Sequence, residues 1–146
     1  MRITQEADYA LRMVCLMAQE DTVLGAPVMA EVVAVPPRFA LKILRKLSQE
    51  GLVKASRGVT GGYRLTVDPT VLTVRRVIES IDGPIEISKC LSDMHMCRNN
   101  PNKNCCRFHH VFGTLNGYLT ERLDRLTVAM MIDPDLPLEA LLDAVQ

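Results

Sequence analysis

The sequence lacks net charge: 17 Lys and Arg balance 17 Asp and Glu over 146 residues. It has no tryptophan and six other aromatics, and no apolar run near the ~18 residues that a bilayer-spanning helix requires. The opening MRITQEADYA has no apolar signal core, so nothing in it directs export. Eight Gly and eight Pro are ordinary counts, which excludes a collagen-like chain. With 48% hydrophobic residues the chain is not intrinsically disordered either. No internal repeat or low-complexity tract occurs. The expectation is a soluble, cytoplasmic chain without a membrane partner, long enough for one domain or a small domain with an appendage.

The charges that are present are unevenly placed. Between Pro36 and Arg64 there are seven Lys or Arg and one acid, Glu50. From Tyr118 onward there are two bases and six acids. A basic stretch in a neutral chain is an electrostatic footprint for a polyanion, although an ordinary solvated face has the same composition.

Hydrophobic periodicity predicts a helix from Thr4 to about Gln19, with Ala7, Leu11, Val14 and Ala18 on one stripe and Thr4 as N-cap. After a loop over Asp21–Pro27, a short helix over Val28–Ala34 is expected, ended by Pro36. A third begins at Pro37 and stops at Gly51. In it Ala40, Ile43, Leu44 and Leu47 form a core face, and Arg38, Lys42, Arg45 and Gln49 a polar one. Two short helices joined by a tight turn, the second with a basic face, make a helix-turn-helix pattern.

Two strands, Leu52–Ser56 and Tyr63–Val67, are expected next, flanking Arg57-Gly58-Val59-Thr60-Gly61-Gly62. The three glycines permit positive φ in a tight hairpin tip. The tip lacks the Lys-Ser/Thr ending and following helix of a phosphate-cradling loop. The fold class read from this order is mainly α with a small β-hairpin wing: a winged helix-turn-helix domain over residues 1–83. Its groove-facing candidates are Arg38, Lys42 and Arg45, with Arg57, Thr60, Tyr63 and Arg64 on the wing. A further short helix over Val74–Ile81 closes at Asp82-Gly83-Pro84.

Residues 84–106 are mostly polar and hold Cys90, Cys97, Cys105 and Cys106, whereas Cys15 stands alone in an apolar stretch. Clustered thiols in a reducing compartment point to metal or redox chemistry, and Cys15 to a buried small hydrophobe. From Arg107 to Ile132, Phe112, Leu115, Leu119, Leu123, Leu126 and Met130 step by threes and fours. A helix of that length spans ~39 Å, so its stripe is expected to pack against a second copy as a dimerisation helix. An acidic tail, 133–146, follows.

The opening MRITQEADYALRMV, the wing RGVTGGYRL, the segment TVRRVIESIDGP and the cysteine loop before a long helix together resemble the Rrf2 family of winged-helix regulators, which includes the IscR, NsrR and RirA types. The resemblance covers roughly residues 1–132. It implies a homodimer that binds palindromic double-stranded operators as a transcriptional regulator, in many members a repressor controlled by an iron–sulfur cluster. Cys90, Cys97 and Cys106 match the three cysteine ligands, Cys106-Arg-Phe-His109 reproducing a family Cys-x2-His spacing. Cys105 is the alternative third ligand, and the vicinal pair departs from the simplest family pattern. For the fourth position the resemblance offers Asp8, with a 4Fe–4S cluster completed across the dimer, ahead of His109, with a 2Fe–2S cluster. Where IscR-type members carry an acidic base-reading residue this chain has Leu41, which suits an apolar contact to a thymine methyl.

Other chemistries fit parts of the same loop. Zinc accepts thiolates but prefers ligands paired at C-x2–4-C, closer than the six- and seven-residue gaps here. Met94, His95 and Met96 beside Cys97 would suit Cu(I), and a metal-free thiol–disulfide switch needs only the cysteines. Cys106 and His109 lie one helical turn apart, but no third group orients them, so the chain does not read as an enzyme.

Overall fold

The computed structural model describes residues 3–58, 61–92, 97–98 and 105–146. Helix α1 spans Gln5–Glu20, and its N-cap Thr4 accepts a hydrogen bond from the Ala7 N–H. Its buried residues, Ala7, Ala10, Met13, Val14 and Met17, step by threes and fours along one face. Leu11 and Ala18, expected on that stripe, lie at its partly buried edge.

Helix α2 covers Ala26–Val32, two residues earlier than expected, because Pro27 sits in its first turn rather than ending the loop. The chain leaves α2 through Ala34, at φ +54°, and enters α3, Pro37–Gln49. Ala40, Ile43, Leu44 and Leu47 of α3 are fully buried, as their spacing predicts. Burial of each of the three larger side chains contributes about 1.5–3 kcal/mol. α3 therefore has one orientation in the body, with its basic face outward.

Strands β1, Val53–Ser56, and β2, Gly62–Leu65, form an antiparallel hairpin with Val53 opposite Leu65, Lys54 opposite Arg64, Ala55 opposite Tyr63 and Ser56 opposite Gly62. Leu24 pairs with Tyr63 through two 2.9 Å backbone hydrogen bonds and fixes the hairpin to the body. The tip glycines serve different ends. Gly58 takes φ +112°, as expected of a turn, whereas a side chain at Gly62 would meet the Leu24 carbonyl oxygen at 2.5 Å. Gly62 is required by that close approach and not by positive φ.

Helix α4, Val74–Asp82, buries Val74, Val77, Ile78 and Ile81 and packs on α1 and α3. A 3-10 turn at Lys89–Leu91 precedes α5, Arg107–Arg125. The single helix expected over 107–132 is a correction: it breaks at Leu126. Thr127 caps a separate α6, Val128–Ile132, by accepting from the Met130 N–H. The break is tertiary in origin. Val74 N–H donates to the Leu126 carbonyl and Val128 N–H to the Leu72 carbonyl, both at 2.8 Å, so Thr127 pairs with Thr73. Val128 is fully buried and α6 packs on α1. The tail contains another helix, α7, Leu138–Ala144, which its acidic composition concealed.

Candidate nucleic-acid interface and cysteine segment

The α3 face opposite the core holds the cations expected there. Arg38, Lys42 and Arg45 are exposed beside Leu41, and the Arg38 guanidinium lies 5.2 Å from the centre of the Phe39 ring. Arg45 has no ionic partner among the described residues. Lys42 does: its Nζ donates to Glu6 Oε1 on α1. Lys46, one turn on, donates to Glu6 Oε2 at 2.9 Å and to the Ile81 carbonyl at 3.0 Å. Lys42 first, then Lys46, hold the Glu6 carboxyl below its ordinary range.

On the wing, Arg57 is exposed at the end of β1, and Thr60 lies outside the described residues. Tyr63 is half-buried and packs against the core. Arg64 is exposed and reaches Asp21 Oδ1 at 3.4 Å. The register adds a residue that sequence reasoning missed. Lys54 stands directly opposite Arg64 on the outer face of the hairpin, and like charges at that spacing repel. The arrangement is favourable once an anion lies across both. Pairing β1 to β2 about their tip would have found it.

Residues 85–91, which carry Cys90, run along one face of α5. His109 Nδ1 lies 3.1 Å from the Cys90 carbonyl oxygen. The Leu91 side chain lies over Gly113. Asn116 donates to the Ile85 carbonyl and accepts from the Ile87 N–H, both at 2.9 Å. Positions 109, 113 and 116 are one helical face, and of these contacts only His109 was singled out from sequence. A carbonyl only accepts, so the contact is a hydrogen bond from Nδ1–H, and the neutral Nδ1–H tautomer leaves the Nε2 lone pair for a metal.

Cys90 Sγ is 3.3 Å from Ser88 Oγ. Cys106 is half-buried at the N-cap of α5, Cys97 is half-buried, and Cys105 is exposed. No disulfide joins any of these residues. Asp8 is on α1, ion-paired with Arg12 at 2.7 Å. Among the described residues no three His, Cys, Asp or Glu side chains stand close enough to hold a metal ion. Met94, His95 and Met96 lie outside the described residues. Burial pushes the Cys15 thiol up, in keeping with its reading as a packed hydrophobe.

The opposite face of α5 is bare. Phe108, Val111, Leu115 and Tyr118 are each more than half exposed, and no α5 residue is buried. This corrects the expected stripe, since Leu119, Leu123 and Leu126 pack against the body, while Leu115 belongs to the outer face and the half-buried Phe112 lies against Phe108 there.

A helix-turn-helix followed by a hairpin, with cations on both, defines a winged-helix regulator. The chain matches the Rrf2 family, described as iron-dependent transcriptional regulators, over residues 3–134. It is 30% identical to an Rrf2-like HTH-type transcriptional regulator of Rhodobacter capsulatus, over 97% of this chain and 99% of that one. It belongs to the Rrf2 family of transcriptional regulators, which bind DNA. Among solved structures, T. potens IscR superposes with a TM-score of 0.70 at 20% identity, covering 90% of this chain and 86% of that one. CymR of B. subtilis, a global cysteine regulator, gives 0.71 at 22% identity, covering 90% and 96%. At such identities the likeness establishes the shared fold. Among the described residues no helix is long and apolar enough to cross a membrane.

Proposed function

We propose that this regulator is a homodimeric repressor of palindromic operators whose DNA affinity is set by an iron–sulfur cluster in the cysteine segment. One observation carries the reading. The segment bearing Cys90 is fastened to one face of α5 by His109 and Asn116, while the opposite face exposes an apolar stripe. A second copy seated on that stripe brings two cysteine segments and two winged domains into one assembly.

Cys90, Cys97 and Cys106 would supply soft thiolate donors to such a cluster, with Cys105 as neighbour or substitute. For the fourth donor, His109 offers Nε2 in the tautomer that donates Nδ1–H to the Cys90 carbonyl. Asp8, which pairs with Arg12 through Oδ2 alone, is the other candidate, offered across the dimer. When bound, the cluster supplies a centre that oxygen, nitric oxide or iron scarcity can alter, most easily at a non-thiolate corner. The protein's part is to hold the loop against α5 and transmit its position to α3. On the DNA side, Arg38, Lys42 and Arg45 line the groove-facing side of α3 with Leu41 among them, Lys54 and Arg64 hold phosphates along the wing, and Arg57 reaches a base edge or the groove from its tip. Arg57→Ala is expected to weaken operator binding by ~1–3 kcal/mol.

The test is native mass spectrometry of protein purified without oxygen, read for mass bound per dimer. Iron with sulfide is the expected result, and the increment separates two-iron from four-iron forms. His109→Ala and Asp8→Ala then decide the fourth ligand by which one alters the visible spectrum. Zinc alone, or no added mass, overturns the cluster and leaves a zinc-stabilised or thiol-switched regulator.

A further inference from the structure

Lys42 faces solvent on the helix that reads DNA, yet its ammonium is already taken by a carboxylate of the same chain. We propose that Glu6 is a built-in competitor for the operator, occupying Lys42 in place of a DNA phosphate. The inference rests on the reading of α3 as the recognition helix.

The geometry makes the competition reversible. Glu6 has two cationic partners of different character. Lys46 is one-third exposed and donates to both Glu6 Oε2 and the Ile81 carbonyl, so it stays with the body. Lys42 has a 58% exposed side chain and only Glu6 to hold it. In the wild-type complex Glu6 keeps Lys42 from the phosphate; where a shift of α1 releases it, Lys46 still neutralises Glu6, whose side chain is only 20% exposed. No buried charge is stranded, which is the usual cost of opening a partly buried ion pair. Glu6 therefore lowers DNA affinity without making the DNA-bound state unstable.

Glu6 is also placed to feel the cysteine segment. It lies in the first turn of α1, whose cap Thr4 donates its hydroxyl to Asp82 Oδ1 at 2.6 Å and its N–H to Asp82 Oδ2 at 3.2 Å. Asp82 is the last residue of α4, and Gly83 begins the segment that leads to Cys90. The same carboxylate cap that seats α1 thus sits at the root of the cysteine segment. A shift of that root moves Glu6 relative to α3 and changes how firmly Lys42 is held.

The experiment is a titration of the full-length protein on a duplex that the wild type selects from a random-sequence pool, repeated across a salt series. Glu6→Gln is expected to bind about two- to tenfold more tightly near 0.1 M salt. Its plot of log K against log salt should be steeper by ~0.9, the increment for one more phosphate neutralised. Adding Lys42→Gln to Glu6→Gln should remove both gains. Equal or weaker binding by a folded Glu6→Gln protein, with an unchanged slope, overturns the proposal.

Should Glu6→Gln fail to fold, Lys42→Gln alone decides. Competition predicts that this exposed substitution changes the wild-type slope by clearly less than ~0.9, and a full ~0.9 change overturns the proposal. Failure of wild type and variants alike to bind any duplex sinks the DNA reading and the competition with it. Binding without these slope differences sinks the competition alone.

Discussion

Apart from Val128, every buried hydrophobic side chain among the described residues lies between Ala7 and Ile85, whereas the nineteen residues of α5 bury none. The winged body holds itself together. The α5 region is held to the body along one side by polar contacts and by Leu119, Leu123 and Leu126, and offers the other side to solvent. The difference separates two tasks. The first region must present a fixed set of cations, and burial fixes α3. The second carries the cysteines and, in the proposed assembly, the surface for a second copy, and its sparse burial puts it toward the low end of local stability.

The largest expected effect lies in the body. Leu44→Ala should lower the unfolding free energy in urea by about 2–5 kcal/mol, the usual range for a fully buried leucine. A loss under about 1 kcal/mol would show that the body is less tightly packed than its burial implies. In α5 the matching substitution is Val111→Glu. It should leave the circular dichroism of the protein unchanged while sedimentation shifts from twice the chain mass to the chain mass. An unchanged dimer would mean that the apolar stripe is not the interface.

Asn116→Ala comes next. It strips partners from the Ile85 carbonyl and the Ile87 N–H, which should cost about 1–2 kcal/mol and speed alkylation of Cys90. The smallest effect distinguishes the cysteines themselves. At pH 8 Cys15, packed against the core and with its thiol pushed up by burial, should be the slowest of the five to react with iodoacetamide. Labelling of Cys15 as fast as Cys105 would place α1 among the loosely held parts.

The same contrast governs what the sequence reveals. Buried residues of α1, α3 and α4 recur at threes and fours, so the winged body and the outward position of Arg38, Lys42 and Arg45 were legible. The Arg57–Gly62 tip was legible as a turn, although Gly62 is there for the approach of Leu24. In α5 two apolar faces overlap, and periodicity cannot say which meets the body. The stripe through Leu119 and Leu123 therefore read as an interface when Phe108, Val111 and Tyr118 are the exposed set. The break at Leu126 was hidden because Met130 continues the step. Only the pairing of Thr127 with Thr73, distant in sequence, ends the helix. Ion pairs such as Lys42 with Glu6 join side chains 36 positions apart and leave no local pattern. Whether Cys90, Cys97 and Cys106 share a metal was legible only as chemistry, because their meeting depends on long-range contacts.

The break at Leu126 also makes α5 a cantilever. Its C-terminal end is clamped by the backbone bonds to Leu72 and Val74, within the body that carries α3, while its other end begins at Cys106. Asn116 and the packing of Leu119 and Leu123 hold its C-terminal half to the body, so the free arm is the N-terminal half, about 15 Å from Asn116 to Cys106. Leverage follows from that length: a tilt of about 5° at its root moves the tip by roughly 1.3 Å. Conversely, a displacement beside Cys106 arrives at the body that carries α3 as a small rotation.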